Sequence, residues 1–225
     1  MSLLEPRRGA GHSIVARHPK VFLGIAAVVG LLVSVLLRDA DQDRQVVAPS
    51  PVLDAILNDP ESPRVGPPDA TVTVVVFTDY LCPVCRTTDP ALERLVQRDG
   101  GVRVVFKDWP ILGPGSVLSA RVALAAHRQG RYLAMHRALM STRLPLTLAN
   151  MPAIAREAGV DWDRLAADLA RDGPAIDAQL ARQSRQAWSL GLQGTPDYLI
   201  GPYLVQGGLG ERGLADAVAD ARRRR

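Results

Sequence analysis

A chain of 225 residues, 47% hydrophobic and 22% charged, is long enough to bury one real core and too apolar to be disordered. Its formal charge of +4 is uneven: residues 1–20 carry a net +3, and the rest sets 23 basic against 22 acidic side chains, with four bases in the run Arg222, Arg223, Arg224 and Arg225. That leaves no basic face for nucleic acid over the folded part, and the arginine run suits the C-terminal end of a helix.

In chain order, the first feature is the apolar segment 21–37 (VFLGIAAVVGLLVSVLL), uncharged and interrupted only by Ser34. Its length is at the lower limit for a membrane-spanning helix. Arg7, Arg8, Arg17 and Lys20 precede it, and Arg38, Asp39, Asp41 and Asp43 follow. The positive-inside rule then puts residues 1–20 in the cytoplasm as a basic tail and everything after Arg38 outside. A cleaved signal peptide shares this charge order but needs small residues before the cut. A cut after Ala40 leaves Arg38 two residues upstream, and one after Ala48 meets Pro49, so an uncleaved anchor is expected.

Residues 38–51 are polar, end in APSP and read as a linker, which makes 52–225 the folded domain. Residues 52–57 suit a short helical turn, and 60–69, with four prolines, an irregular lead-in. The β-branched run 71–78 (TVTVVVFT) predicts a buried strand, 83–98 a helix stopped by Gly100 and Gly101, and 102–107 (VRVVFK) a second strand parallel to the first. Helical spacing of apolar residues recurs over 116–129, 131–140, 148–158, 162–171 and 174–190, with breakers at Gly130, Pro145, Gly159 and Gly173-Pro174. A hairpin, 197–200 and 203–206 around Gly201-Pro202, and a last helix, 211–222, close the chain. The fold class is α/β, a small core split by a helical insertion at about 114–190.

The chemistry sits in Cys82-Pro83-Val84-Cys85, which holds both cysteines of the chain, where a buried strand turns into a helix. A helix N-terminus offers unpaired N–H groups and partial positive charge, which favour a thiolate. Pro83 suits the first helical position, where its missing N–H costs nothing. Cys85 lies one turn deeper on the same side, so the first thiol is expected exposed and the second shielded. A zinc site needs four ligands; no further cysteine exists, His12 and His18 lie before the apolar segment, and His127 and His136 have no ligand spacing. An inert structural disulfide gains little from so short a loop. Redox activity is the expected use. Gly194-Thr195-Pro196 opens the strand at Asp197 with a proline; a cis Thr195–Pro196 bond or a trans proline on an edge strand explains it.

Three stretches together, DPESPRVGPPDATVTVVVFTDYLCPVC (59–85), FKDWPILGPGS (106–116) and GLQGTPDYLIG (191–201), resemble the DsbA-like branch of the thioredoxin superfamily over roughly 54–221. The resemblance implies a thioredoxin-like fold with inserted helices, a catalytic Cys82 and Cys85, and a cis-proline loop facing them in which Thr195, before Pro196, binds the substrate chain as an added strand. Two departures stand out. Val84 replaces the histidine common in strong oxidases of the family. Val74 to Phe77 are apolar where relatives keep a buried acid, leaving Asp79 as the nearest acid, in a position suited to capping a turn. Pro83 and Val84 are therefore expected to modulate the motif, with a redox poise between the extremes of the superfamily.

The implied function is an extracytoplasmic thiol–disulfide oxidoreductase acting on protein thiols or disulfides, with the oxidase direction favoured and a membrane redox partner recycling the pair. Its location would be the cytoplasmic membrane, single-pass, with a periplasmic domain. The redox-active Cys82–Cys85 disulfide replaces any cofactor, and no metal or nucleic acid is implied. The rival readings are a dedicated disulfide reductase and a membrane-tethered binding or scaffolding module of the same fold. The charge order around 21–37 generates one prediction. A reporter fused after Arg225 is expected to be active only when it requires export; activity confined to a cytoplasm-dependent reporter overturns the topology.

Overall fold

The computed structural model describes residues 44–224. The expected tail at 1–20 and anchor at 21–37 lie outside them, and among the described residues no helix is long and apolar enough to cross a membrane.

A six-stranded sheet organises the fold. Its strands are β1 (Arg44–Val46), β2 (Arg64–Val65), β3 (Val72–Thr78), β4 (Val102–Asp108), β5 (Asp197–Ile200) and β6 (Tyr203–Gln206), in the order β1-β6-β5-β3-β4-β2. β3 and β4 are parallel, with Thr78 opposite Asp108, and all other pairs are antiparallel. Strand side chains alternate between faces. Val72, Val74, Val76, Val104 and Phe106 therefore join one core cluster, and Val75, Phe77 and Val105 join another. A strand buried on both faces reads as a continuous apolar run. Helix α1 (Pro51–Leu57) covers the second face, and α2 (Pro83–Arg98) and α7 (Glu211–Arg223) the first. The inserted helices α3 (Pro114–Arg128), α4 (Tyr132–Ser141), α5 (Met151–Glu157) and α6 (Trp162–Ser189) lie in sequence between β4 and β5.

Three expectations are corrected. The linker expected over 38–51 is not all linker. Arg44–Val46 forms the edge strand β1, Val47 N–H donates to the Pro202 carbonyl at 2.8 Å, and Arg44 pairs with Asp220. A three-residue edge strand with partly or fully exposed side chains carries no alternation to read. The irregular lead-in over 60–69 contains β2, paired with Val104 and Val105. The third correction joins the helices expected over 162–171 and 174–190 into α6, which runs unbroken through Pro174. Pro174 removes one backbone hydrogen bond, but Leu165, Gly173, Ile176, Leu180 and Ala187 keep one buried stripe across it. Ion pairs to α3 flank the proline on both sides, Arg128–Asp172 at 3.2 Å and Arg121–Asp177 at 3.0 Å.

Strand β4 ends in two buried charges facing opposite ways. Lys107 is fully buried and donates to Asp59 Oδ2 at 2.8 Å. Burial works to raise the Asp59 carboxyl, but the hydrogen bond and charge of Lys107 outweigh it and hold it below its ordinary value. Removing one partner of a buried pair leaves an uncompensated charge. Asp59→Ala is therefore expected to destabilise the protein by ~3–5 kcal/mol in urea unfolding, and Asp59→Ala with Lys107→Met to recover much of that loss. Equal stability of Asp59→Ala and wild type overturns the assignment.

Candidate active site

The site forms where β3 ends. Asp79, buried at 1% exposure, holds the turn with both carboxylate oxygens. Oδ1 accepts from Leu81 N–H at 2.8 Å and Ser116 Oγ at 2.6 Å, and Oδ2 from the N–H groups of Ile111 at 2.8 Å and Leu112 at 3.1 Å. The expected turn-capping role is present, and it extends to the loop after β4 and the first turn of α3. Trp109 N–H donates to the Thr78 carbonyl at 2.8 Å and locks the same loop onto the strand end.

Cys82 is the N-cap of α2, with extended backbone, and Pro83 follows in the first turn. Its Sγ accepts from Cys85 N–H at 3.4 Å and donates to the Thr195 carbonyl at 3.1 Å. The Thr195–Pro196 bond is cis. The structure thus brings together the sequence-predicted Cys82, Cys85, Thr195 and Pro196. The expectation of an exposed first thiol is corrected: Cys82 is 6% exposed and Cys85 1%, so the order holds but both are buried. A capping side chain folds back over its own helix, and here it also meets the Thr195 carbonyl. Both cysteines are free thiols, and burial pushes the Cys85 thiol up to about 12.

Val84, 47% exposed, faces the loop after β6. A Cβ at Gly208 would come within 2.6 Å of Val84 Cγ1 and 3.0 Å of Thr88 Cγ2, so only glycine lets that loop approach α2 this closely. Asp197 anchors it by accepting from Gly207 N–H at 2.8 Å. Around the motif, Leu81, Val84, Ile111 and Leu112 are exposed apolar side chains.

Sequence reasoning missed a buried polar cluster behind α2: Tyr80, Asp89, Asp108, Tyr132 and His136. Alternation along β4 was the one available signal, since it turns Asp108 toward α2. Among the described residues no three His, Cys, Asp or Glu side chains converge as a metal site.

A parallel β3–α2–β4 unit, an antiparallel β5–β6 hairpin and a CxxC capping the helix opposite a cis-proline loop define a thioredoxin-fold protein of the thiol–disulfide class. Residues 73–219 match the family model described as DSBA-like thioredoxin domain, and the chain belongs to that family. It is similar to a thioredoxin-like oxidoreductase from Silicibacter pomeroyi, at 42% identity and a TM-score of 0.72, over 76% of this chain and 97% of that one. A periplasmic thioredoxin-like protein from Salmonella enterica serovar Typhimurium is similar at 32% identity and a TM-score of 0.67, over 78% and 98%. Among curated proteins, Na(+)/H(+) antiporter NhaA 3 of Salinispora tropica is 31% identical over 66% of this chain and 24% of its own length. The chain thus spans about a quarter of the length of the first curated relatives it matches.

The deeper burial of Cys85, which pushes its thiol up, sets a measurable order of reactivity. Burial of Cys85 disfavours its thiolate, the reactive form. Limited alkylation of the reduced chain at pH 7, mapped by mass spectrometry, is expected to label Cys82 first. First labelling at Cys85 overturns the assignment.

Proposed function

We propose that the chain is a thiol–disulfide oxidoreductase that exchanges disulfides with protein substrates through Cys82 and Cys85, on the outer side of a membrane that residues 21–37 span. The observation that carries this reading is Cys82 at the α2 N-cap, its sulfur within hydrogen-bond reach of both Cys85 N–H and the Thr195 carbonyl. In the oxidase direction a substrate thiolate attacks Cys82 Sγ of the Cys82–Cys85 disulfide. That S–S bond breaks, its electron pair goes to Cys85 Sγ, and Cys85 takes up a proton. A second substrate thiolate then attacks the substrate sulfur of the mixed disulfide, and Cys82 leaves as thiolate. The helix N-terminus and the Cys85 N–H stabilise that thiolate, which favours Cys82 as leaving group. The reductase direction runs the same steps backwards.

In this reading Thr195 pairs with an extended substrate chain, and the exposed Leu81, Val84, Ile111 and Leu112 offer apolar contacts to an unfolded one. Pro83 and Val84 supply neither charge nor donor to the thiolate, so the backbone carries its stabilisation. A partner in the membrane re-oxidises the pair. The periplasmic relative from Salmonella and the antiporter relative from Salinispora support an outward-facing, membrane-associated setting. In a reducing assay with insulin as substrate, the wild type is expected to turn over and both Cys82→Ser and Cys85→Ser to lose activity. In cells, only Cys85→Ser should accumulate mixed disulfides with other proteins. A Cys82→Ser variant with wild-type turnover, or a wild type with none, points to a binding module instead. Thiol trapping in cells sets the direction: an oxidised pair at steady state supports the oxidase, a reduced pair the reductase.

A further inference from the structure

The buried groups that exchange chemistry leaves unused form one hydrogen-bonded chain behind α2. Asp108, fully buried at the end of β4, accepts from Tyr132 Oη at 3.0 Å through Oδ1, while its buried Oδ2 has no hydrogen-bond partner among the described residues. Tyr132 Oη lies 3.4 Å from Tyr80 Oη, which lies 3.0 Å from His136 Nδ1. His136 Nε2 lies 2.8 Å from Asp89 Oδ1. Asp89 is 12% exposed and lines a cleft together with Glu93, Val96, Phe106, His136 and Arg137, so the chain meets solvent at that end.

This connectivity permits two arrangements of one proton. With His136 as imidazolium, Nε2–H donates to Asp89, Nδ1–H to Tyr80, Tyr80 O–H to Tyr132, and Tyr132 O–H to the Asp108 carboxylate. When the proton moves to Asp108, the carboxylic acid donates to Tyr132, Tyr132 to Tyr80, and Tyr80 to a neutral His136. Both arrangements satisfy every link and carry the same charge, and each hydroxyl has only to turn its hydrogen. Burial raises the Asp108 carboxyl to about 6. Burial opposes the His136 imidazolium, but Asp89 outweighs it and raises the ring above its ordinary value.

The chain also touches the redox pair through the backbone. Tyr80 is two residues before Cys82, Asp108 pairs with Thr78, and Asp89 lies one helical turn past Cys85 on the same face of α2. When a substrate dithiol is oxidised, two protons leave it. One goes to Cys85; the other has no place on Cys82 while Cys82 remains a thiolate. We propose that the Asp108–Tyr132–Tyr80–His136–Asp89 chain is the proton store of the exchange reaction, taking up part of that second proton as the Cys82 thiolate forms and returning it when the disulfide closes. The proposal rests on the redox reading of Cys82 and Cys85.

The other ionisable groups around the store are Asp79 on the active-site turn, Arg86 and Glu93 on α2, His127 on α3 with its ring 5.9 Å from that of Tyr132, Arg137 on α4 and Tyr198 on β5. Asp79 is held by four donors, and Arg86 donates to the carbonyls of Tyr80, Leu139 and Thr142. Lys107 faces the opposite side of the sheet, against Asp59. Asp108 and His136 are the two groups that the tyrosine hydroxyls join into one chain.

Linkage is reciprocal: a thiolate that draws a proton into the store must itself be favoured by the stored proton. The test equilibrates the full chain with oxidised and reduced glutathione from pH 5 to pH 8, wild type beside Asp108→Asn and His136→Gln. The ratio of the wild-type to the Asp108→Asn equilibrium constant for reduction is expected to rise about threefold or more from pH 8 to pH 5. In His136→Gln the inflection is expected at higher pH, because the imidazolium that lowers the Asp108 carboxyl is gone. A redox-difference infrared spectrum of the wild type near pH 6 is expected to gain a carboxylic-acid band on reduction, absent in Asp108→Asn. Superimposable profiles for wild type and Asp108→Asn, or a wild-type spectrum without that band, overturn the proton store alone. If mass spectrometry shows no reversible Cys82–Cys85 disulfide in the wild type, the redox reading falls and takes the store with it.

Discussion

The site depends on the carboxylate of Asp79. One buried side chain accepts from the turn that presents Cys82, from two consecutive N–H groups of the loop after β4, and from the first turn of α3. A buried acceptor bonded to several donors at once loses all of them together if it is removed. The motif, the neighbouring loop and the start of the insertion are therefore tied to one side chain. The inserted helices, which add nothing to the sheet, are in this way connected to the cysteines.

The C-terminal ends of β3 and β4 concentrate the cost and the use of buried charge. Lys107 and Asp108 are adjacent, so the pleat sends one to each face. On the far face Lys107 finds a carboxylate and becomes part of the scaffold. On the near face Asp108 accepts from the Tyr132 hydroxyl and, among the described residues, keeps one oxygen without a partner. The same strand end thus holds a satisfied ion pair and an under-satisfied acid. The burial of the strand enforces this asymmetry, since neither side chain can reach water.

Much of this was legible in the sequence because it is local. The runs of β3 and β4, the turn into α2, the proline at the head of β5 and the glycine-bounded hairpin each show in a handful of consecutive residues. Pro83 to Cys85 read correctly as the start of a helix because the first helical position tolerates proline. The same residue type at Pro174 misled, because the packing of α6 against α3, which no local pattern displays, overrides the lost hydrogen bond. β1 was hidden for a related reason: an edge strand answers to its partner, and Arg44-Gln45-Val46 carries no periodicity of its own. The cluster around Tyr80 was the least legible part. Its five members come from a turn, a strand and two helices, and only the fold brings them within hydrogen-bond distance of one another.

The contact between Gly208 and Val84 makes those two positions a single steric unit. The volume available to the residue between the cysteines is fixed by the absence of a side chain on another part of the chain. A side chain at 208 would meet Val84 as it now stands, so the residue at 84 would have to turn away or shrink. A designer who grafts another dipeptide into this motif therefore inherits the second position along with it.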